Sequence, residues 1–136
     1  LMQNQFETNQ IQVKCTVEPN DLILFGDQNL IEQVLINLIH NGIHAMQDAI
    51  SKVLSIDAFI DETGKIIIEV SDTGKGIEEE ALSKIFIPFF TTKSKGSGIG
   101  LAICKKIIDY LGGQIWVESK LGIGSIFYFS IPKINK

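Results

Sequence analysis

From Ile11 to Val17 apolar and polar residues alternate with period two, which predicts an amphipathic strand over residues 11–17. Glu18-Pro19-Asn20-Asp21 punctuates it, a short apolar run follows at 22–25, and Asp27 is placed to cap a helix. The pattern then changes to spacings of three and four. Ile31, Val34, Leu35, Leu38, Gly42, Ala45 and Met46 form one apolar stripe of a long helix over 28–51. Gln33, Asn37, Asn41 and His44 form a second, polar stripe on the same helix. Asparagine is a poor helix former, and Ile36, Leu38, Ile39 and Ile43 flank these carboxamides closely. That combination points them into a pocket rather than into bulk water.

Two further strands, 53–60 and 65–71, flank a hairpin turn at Asp61-Glu62-Thr63-Gly64. The nearly unbroken run Ile66-Ile67-Ile68-Glu69-Val70 suits a central strand, and Asp72 stands at its end where the apolar run meets a glycine loop. Glu78-Glu79-Glu80 opens a short helix ending near Ile85, and Pro88 stops any continuation. A helix over 98–111 carries Leu101, Ile103, Cys104, Ile107, Ile108 and Leu111, and Gly112-Gly113 closes it. Strands at 114–119 and 125–131 complete the pattern, the latter with Phe127, Phe129 and Ile131 on one face. The fold class expected is α+β: a two-layer sandwich with a mixed, mostly antiparallel sheet of about five strands and about three helices on one face. Residues 1–10 are expected to be the end of a preceding helix or a linker, and 11–136 the domain itself.

With 136 residues and 45% hydrophobic content the chain can bury a real core. A net charge of -4 gives no general attraction to nucleic acid, so an anion must be held by a local device. No apolar run reaches the roughly 20 residues of a membrane span, and the start Leu1-Met2-Gln3 is unlike a signal peptide. A cytoplasmic fragment of a longer protein is expected, with membrane anchoring of the parent left open. Cys15 and Cys104 sit in apolar patterns and are expected to be reduced and structural.

Five of the 12 glycines (Gly74, Gly76, Gly96, Gly98, Gly100) fall between Asp72 and Leu101. Two clusters separated by a loop suggest a flap over a ligand. No P-loop spacing is present, because Lys93-Ser94 lacks the preceding glycine, and Gly74-x-Gly76 lacks the third glycine of a dinucleotide fingerprint.

Four segments carry a different resemblance: Asn37-Leu38-Ile39-His40-Asn41-Gly42, Asp72-x-Gly74-x-Gly76, Phe86-x-x-Phe89-Phe90 and Gly96-x-Gly98-x-Gly100-Leu101. In order and spacing they resemble the N, G1, F and G2 boxes of the catalytic, ATP-binding domain of two-component sensor histidine kinases. That family belongs to the superfamily of gyrase, mismatch-repair and heat-shock ATPases, with its Bergerat-type ATP-binding fold. The wording around Asn37 and Phe89-Phe90-Thr91-Thr92-Lys93 is most similar to the sporulation and nitrogen-regulation branch.

The resemblance implies ATP and Mg²⁺ as cofactors. Asp72 would accept from the exocyclic amine of adenine, with Gly74 and Gly76 beside the base and Ile77 as an apolar wall. Ser125 stands where the family usually has Thr and would reach the base directly or through water. Asn41 would ligate Mg²⁺, and Asn37, His44 and Lys93 would position the phosphates. Thr91, Thr92 and Gly96 belong to the flap, and Gly98, Ile99, Gly100 and Leu101 to a helix start that suits a triphosphate. A mobile lid is expected from Glu78 to Lys95, with Phe86, Phe89 and Phe90 as its apolar anchor.

In ATPases of the superfamily the residue one turn before the magnesium asparagine is a water-activating glutamate. Here it is Asn37, which cannot take a proton, so poor intrinsic hydrolysis and phosphoryl transfer to an external nucleophile are expected. The implied partners are a separate dimerisation domain bearing the acceptor histidine and, downstream, a response regulator. Neither His40 nor His44 lies in an acceptor-type motif. Two alternatives stay open at this level: a nucleotide-binding regulator without chemistry, and a serine kinase of the anti-sigma type.

Overall fold

The structure is a computed structural model and describes residues 3–18, 28–90 and 98–132. The chain runs α1 (Gln3–Thr8), β1 (Gln12–Val17), α2 (Gln28–Ala45), β2 (Val53–Ile60), β3 (Ile66–Asp72), α3 (Glu79–Leu82), α4 (Gly100–Tyr110), β4 (Gln114–Lys120) and β5 (Gly124–Ile131). The strands form one sheet in the order β1-β2-β3-β5-β4. β1 pairs parallel with β2, and every other pair is antiparallel. The expected α+β sandwich with its mixed sheet is what forms. The expected strand at 22–25, the cap Asp27 and the flap residues Thr91, Thr92, Lys93 and Gly96 lie outside the described residues.

Strand alternation decides which side chains meet the helices. Leu54 of β2, Ile66, Ile68 and Val70 of β3, Phe127, Phe129 and Ile131 of β5 and Ile115 of β4 enter one buried cluster. Val34, Leu38 and Ile39 from α2 and Cys104, Ile107 and Ile108 from α4 close it from above. Phe127, Phe129, Leu38, Met46 and Leu54 are all essentially fully buried, each contributing about 1.5–3 kcal/mol of transfer free energy. β3, the isoleucine run, is the middle strand of the five.

Three elements differ from the sequence expectation. Helix α2 ends at Ala45 rather than at 51, because the Ala45 carbonyl accepts from the Lys75 N–H at 3.1 Å. The chain beyond turns tightly, with Gln47 N–H on His44 C=O and Ala49 N–H on Met46 C=O. Helix α4 starts at Gly100, since Gly98 sits at φ +73 and cannot be helical. The lid does not begin at Glu78: Ala81 and Ile85 are core residues, and Phe86 packs edge-on to Phe127 at 6.4 Å. Phe89, by contrast, is 75% exposed. Cys15 and Cys104 are both free thiols, but only Cys104 is buried.

Candidate functional site

The register of the sheet assembles one end of the site. Asp72, the last residue of β3, pairs with Ser125 of β5, which pairs in turn with Ser119 of β4. Asp72 and Ser125 are both buried, at 7% and 4% exposure. Asp72 Oδ1 accepts the Gly74 N–H at 2.9 Å, which folds the loop after β3 back onto the carboxylate. A carboxylate accepts from several donors at once, so this bond leaves it able to serve a ligand amine.

Ser119 Oγ accepts the Ile77 N–H at 2.8 Å, lies 2.8 Å from Ser125 Oγ and donates to the Gly124 carbonyl at 3.0 Å. Thr73 Oγ1 accepts from Val53 N–H at 3.0 Å and donates to Ser51 C=O at 2.7 Å, tying the loop to the start of β2. None of Ser119, Thr73 or Gly124 was legible as a site residue. Ser119 and Thr73 each bond segments at least 20 residues away, and no local periodicity marks them.

The glycines divide by what surrounds them. A Cβ on Gly74 would stand 2.5 Å from the Ala45 carbonyl oxygen, and one on Gly76 would stand 2.3 Å from that of Lys120. A Cβ on Gly98 would stand 2.6 Å from the Phe89 carbonyl carbon. Close approach of the protein's own backbone therefore requires these three. Gly42 brings α2 down onto Leu54 and Asp72, where a Cβ would be 3.0 Å from Leu54 Cδ1 and 3.5 Å from Asp72 Cβ. Gly100 is different, because among the described residues a Cβ there would meet no atom within 4 Å outside its own helix and chain neighbours. Among those residues neither packing nor a positive φ asks for glycine at that position.

That turn forms the other end of the site. The N-cap residue Ile99 supplies no side-chain cap, and the positive end of the helix dipole lies at this turn. Asn37, half-buried on α2, donates from Nδ2 to the Gly100 carbonyl across a long 3.5 Å. Its amide also bonds the Cys104 thiol, which burial nevertheless pushes up to about 11. Cys104 Sγ in turn donates to Val34 C=O at 3.8 Å. Asn41 follows one turn after Asn37 and is likewise half-buried, as is His44.

His44, Ala45, Thr73, Gly74 and Lys75 line a cleft of about 720 Å³ at the junction of α2 and the loop after β3. Of Asp72, Gly74, Gly76, Ile77 and Ser125 only Gly74 lines that cleft; register pairs Asp72 with Ser125, and Gly74 and Ile77 are bonded to Asp72 and Ser119 of the same row, with Gly76 between them. Asn37, Gly98, Ile99, Gly100 and Leu101 meet at the other end of the site. Among the described residues no three His, Cys, Asp or Glu side chains gather to hold a metal ion. Asn41 offers a neutral amide oxygen, a hard donor of the kind Mg²⁺ accepts when phosphate oxygens complete its shell.

Comparison with known proteins gives the same picture. Residues 26–135 match the family described as histidine kinase-, DNA gyrase B- and HSP90-like ATPase. The sensor protein FixL of Bradyrhizobium diazoefficiens is 35% identical over 93% of this chain and 25% of its own length. Sporulation kinase A of Bacillus subtilis is 37% identical over 98% of this chain and 22% of its own. The chain therefore spans about a quarter of the length of these relatives. Among solved structures, the nucleotide-free catalytic domain of histidine kinase ThkA superposes with a TM-score of 0.86 at 39% identity, covering 97% of this chain and 85% of that one. ThkA in complex with the response regulator protein TrrA matches with a TM-score of 0.80 at 37% identity over 98% of this chain and 37% of that one. The chain belongs to the histidine kinase-, DNA gyrase B- and HSP90-like ATPase family, as a catalytic domain of the sensor histidine kinase type.

Proposed function

We propose that this domain binds ATP with magnesium and presents the γ-phosphate to a histidine on a separate dimerisation domain, within a longer cytoplasmic or membrane-anchored kinase. The observation that carries the proposal is the pairing of two unlike ends: a buried polar pair, Asp72 and Ser125, and a helix start at Gly100 beside which the described residues leave space. The acceptor pair suits an amine-bearing base, and the helix start suits phosphate. Asn37 and Asn41 lie on α2, and Asn37 is bonded to the helix start. Asn41 would hold the metal, whose positive charge would offset that of the phosphate oxygens.

The chain's own contribution is binding and orientation. Asp72 and Ser125 fix the base, the first turn of α4 receives the triphosphate, and His44 and Lys93 add donors toward the phosphates. Thr91, Thr92 and Gly96 would close over the nucleotide as part of the flap. A base that could activate water is missing at Asn37, which fits transfer to an imidazole rather than hydrolysis. Residues 1–10, including α1, are read as the tail of the connection to the dimerisation domain. Exposed Phe89, beside the core-anchored Phe86, is read as a contact to that domain. The solved complex of ThkA supports a response regulator as the downstream partner.

The test mixes this chain with a histidine-bearing dimerisation domain and γ-labelled ATP. Acid-labile label on the partner is the expected result, with none on this chain alone. Acid-stable label would indicate a hydroxyl acceptor instead, and an unlabelled partner with ATP still bound would leave a non-catalytic nucleotide module. Asn37→Glu is expected to raise hydrolysis. A variant that binds ATP with no gain would remove the argument from Asn37.

A further inference from the structure

We propose that Ser119 is a positioning residue for base recognition, one that turns the Ser125 hydroxyl into a pure hydrogen-bond acceptor beside Asp72. The inference rests on the reading that Asp72 and Ser125 face the base of ATP. It begins with the row of register partners Asp72, Ser125 and Ser119, which lie side by side across β3, β5 and β4.

A serine hydroxyl has one proton to give and two lone pairs to receive with. The proton of Ser119 goes to the Gly124 carbonyl at 3.0 Å, and one lone pair takes the Ile77 N–H at 2.8 Å. The contact left, 2.8 Å to Ser125 Oγ, must then use the second lone pair of Ser119, so Ser125 is the donor. With its only proton directed at Ser119, Ser125 can offer a ligand nothing but lone pairs.

The neighbour of Ser125 in the row is a carboxylate, which also only accepts when ionised. Two acceptors, 7% and 4% exposed, therefore stand together at the bottom of the site. Asp72 already accepts the Gly74 N–H, and an exocyclic amine with two N–H groups can donate to the remaining lone pairs of both. A keto oxygen in the same place would meet acceptors on both sides. Ser119 would thus set selectivity between amino- and keto-purines without itself touching the base. Through the Ile77 N–H it also holds the loop that walls the base.

The test measures the affinity of this chain for ATP and for purine riboside triphosphate, which lacks the amine, by calorimetry with magnesium present. Wild type is expected to prefer ATP by about tenfold or more. Ser119→Ala is expected to weaken ATP by about tenfold and the analogue by less than about threefold, so the preference collapses. Ser119→Thr keeps a hydroxyl and is expected to restore it. In a Ser125→Ala background, Ser119→Ala should remove little further preference.

Equal weakening of both nucleotides by Ser119→Ala, with the preference intact, would overturn the inference and leave the ATP reading standing. So would a full additional loss of preference in the Ser125→Ala background. Failure of the wild type to bind ATP at all would overturn both. Should Ser119→Ala not fold, Ser125→Ala alone decides: an unchanged preference there overturns the role assigned to the pair.

Discussion

Around Asp72 the chain is stitched by short hydrogen bonds between distant segments, whereas the described residues leave space beside Gly100. Gly74 N–H lies 2.9 Å from Asp72, Ile77 N–H 2.8 Å from Ser119, and Gly122 N–H 2.8 Å from Lys75 C=O. The bond that joins α2 to the start of α4, from Asn37 to Gly100, is 3.5 Å long. A Cβ on Gly76 would collide with backbone, while one on Gly100 would meet none of the described residues beyond its own helix and chain neighbours within 4 Å. A planar base with a fixed edge is recognised by groups already held in place, since preorganisation lowers the ordering cost of binding. A flexible triphosphate needs space and a diffuse positive field more than a fixed template. The same residue type is therefore required by the fold at Gly76 and not, among the described residues, at Gly100.

The sharpest way to break that comparison is to add one methyl group at each end. Gly76→Ala combines a left-handed backbone at φ +77 with a Cβ 2.3 Å from the Lys120 carbonyl oxygen. We expect a loss of about 3 kcal/mol or more, and a melting temperature lower by roughly 10 °C in thermal unfolding. Asp72→Asn keeps the oxygen that caps Gly74 but replaces the other acceptor with a donor. It should cost about 2 kcal/mol in ATP binding, roughly thirtyfold, with little change in melting temperature; equal affinity in calorimetry would sink the assignment of Asp72 to the base.

Gly100→Ala should do the reverse of Gly76→Ala. The fold is expected to change by less than about 0.5 kcal/mol, or to gain slightly from helix propensity, while ATP affinity falls about tenfold. A destabilised Gly100→Ala that still bound ATP normally would erase the distinction between the two ends.

The smallest effect belongs to the sheet face away from the helices, which serves neither end. Burial, then Asp57, then Glu118 raise the Glu69 carboxyl above its ordinary 4.5. Charging it costs stability in the folded state, so that cost is present at neutral pH and is relieved as pH falls through the raised value. Glu69→Gln should remove this segment of the stability–pH curve, above about pH 4.5. ATP affinity should be unaffected.

Much of this architecture was legible in the sequence. Period-two alternation marked β1 and the isoleucine run marked the central strand, because these patterns are set by residues near one another in the chain. The asparagine stripe was visible for the same reason, since Asn37 and Asn41 are one turn apart. What local pattern could not show was the end of α2. Its apolar stripe runs to Met46, and the helix stops because Lys75, from another segment, takes the Ala45 carbonyl. Ser119 was hidden in the same way, for its partners Ile77, Gly124 and Ser125 come from two other elements. Nor could spacing tell Gly76 from Gly100. The two look alike in a Gly-x-Gly motif, and only the surrounding atoms separate a glycine that the fold requires from one that it does not.

The seam between β3 and β5 gives the base-binding end a place in the order of folding. β2–β3 and β4–β5 are each hairpins of neighbouring strands, but β3 meets β5 only when the two hairpins dock. Loop closure of that length is entropically slow relative to forming either hairpin. Asp72 and Ser125 sit on opposite sides of this seam, so neither hairpin alone carries the pocket floor. A bound nucleotide would therefore clasp a long-range joint of the sheet, slowing its opening more than it hastens its closure.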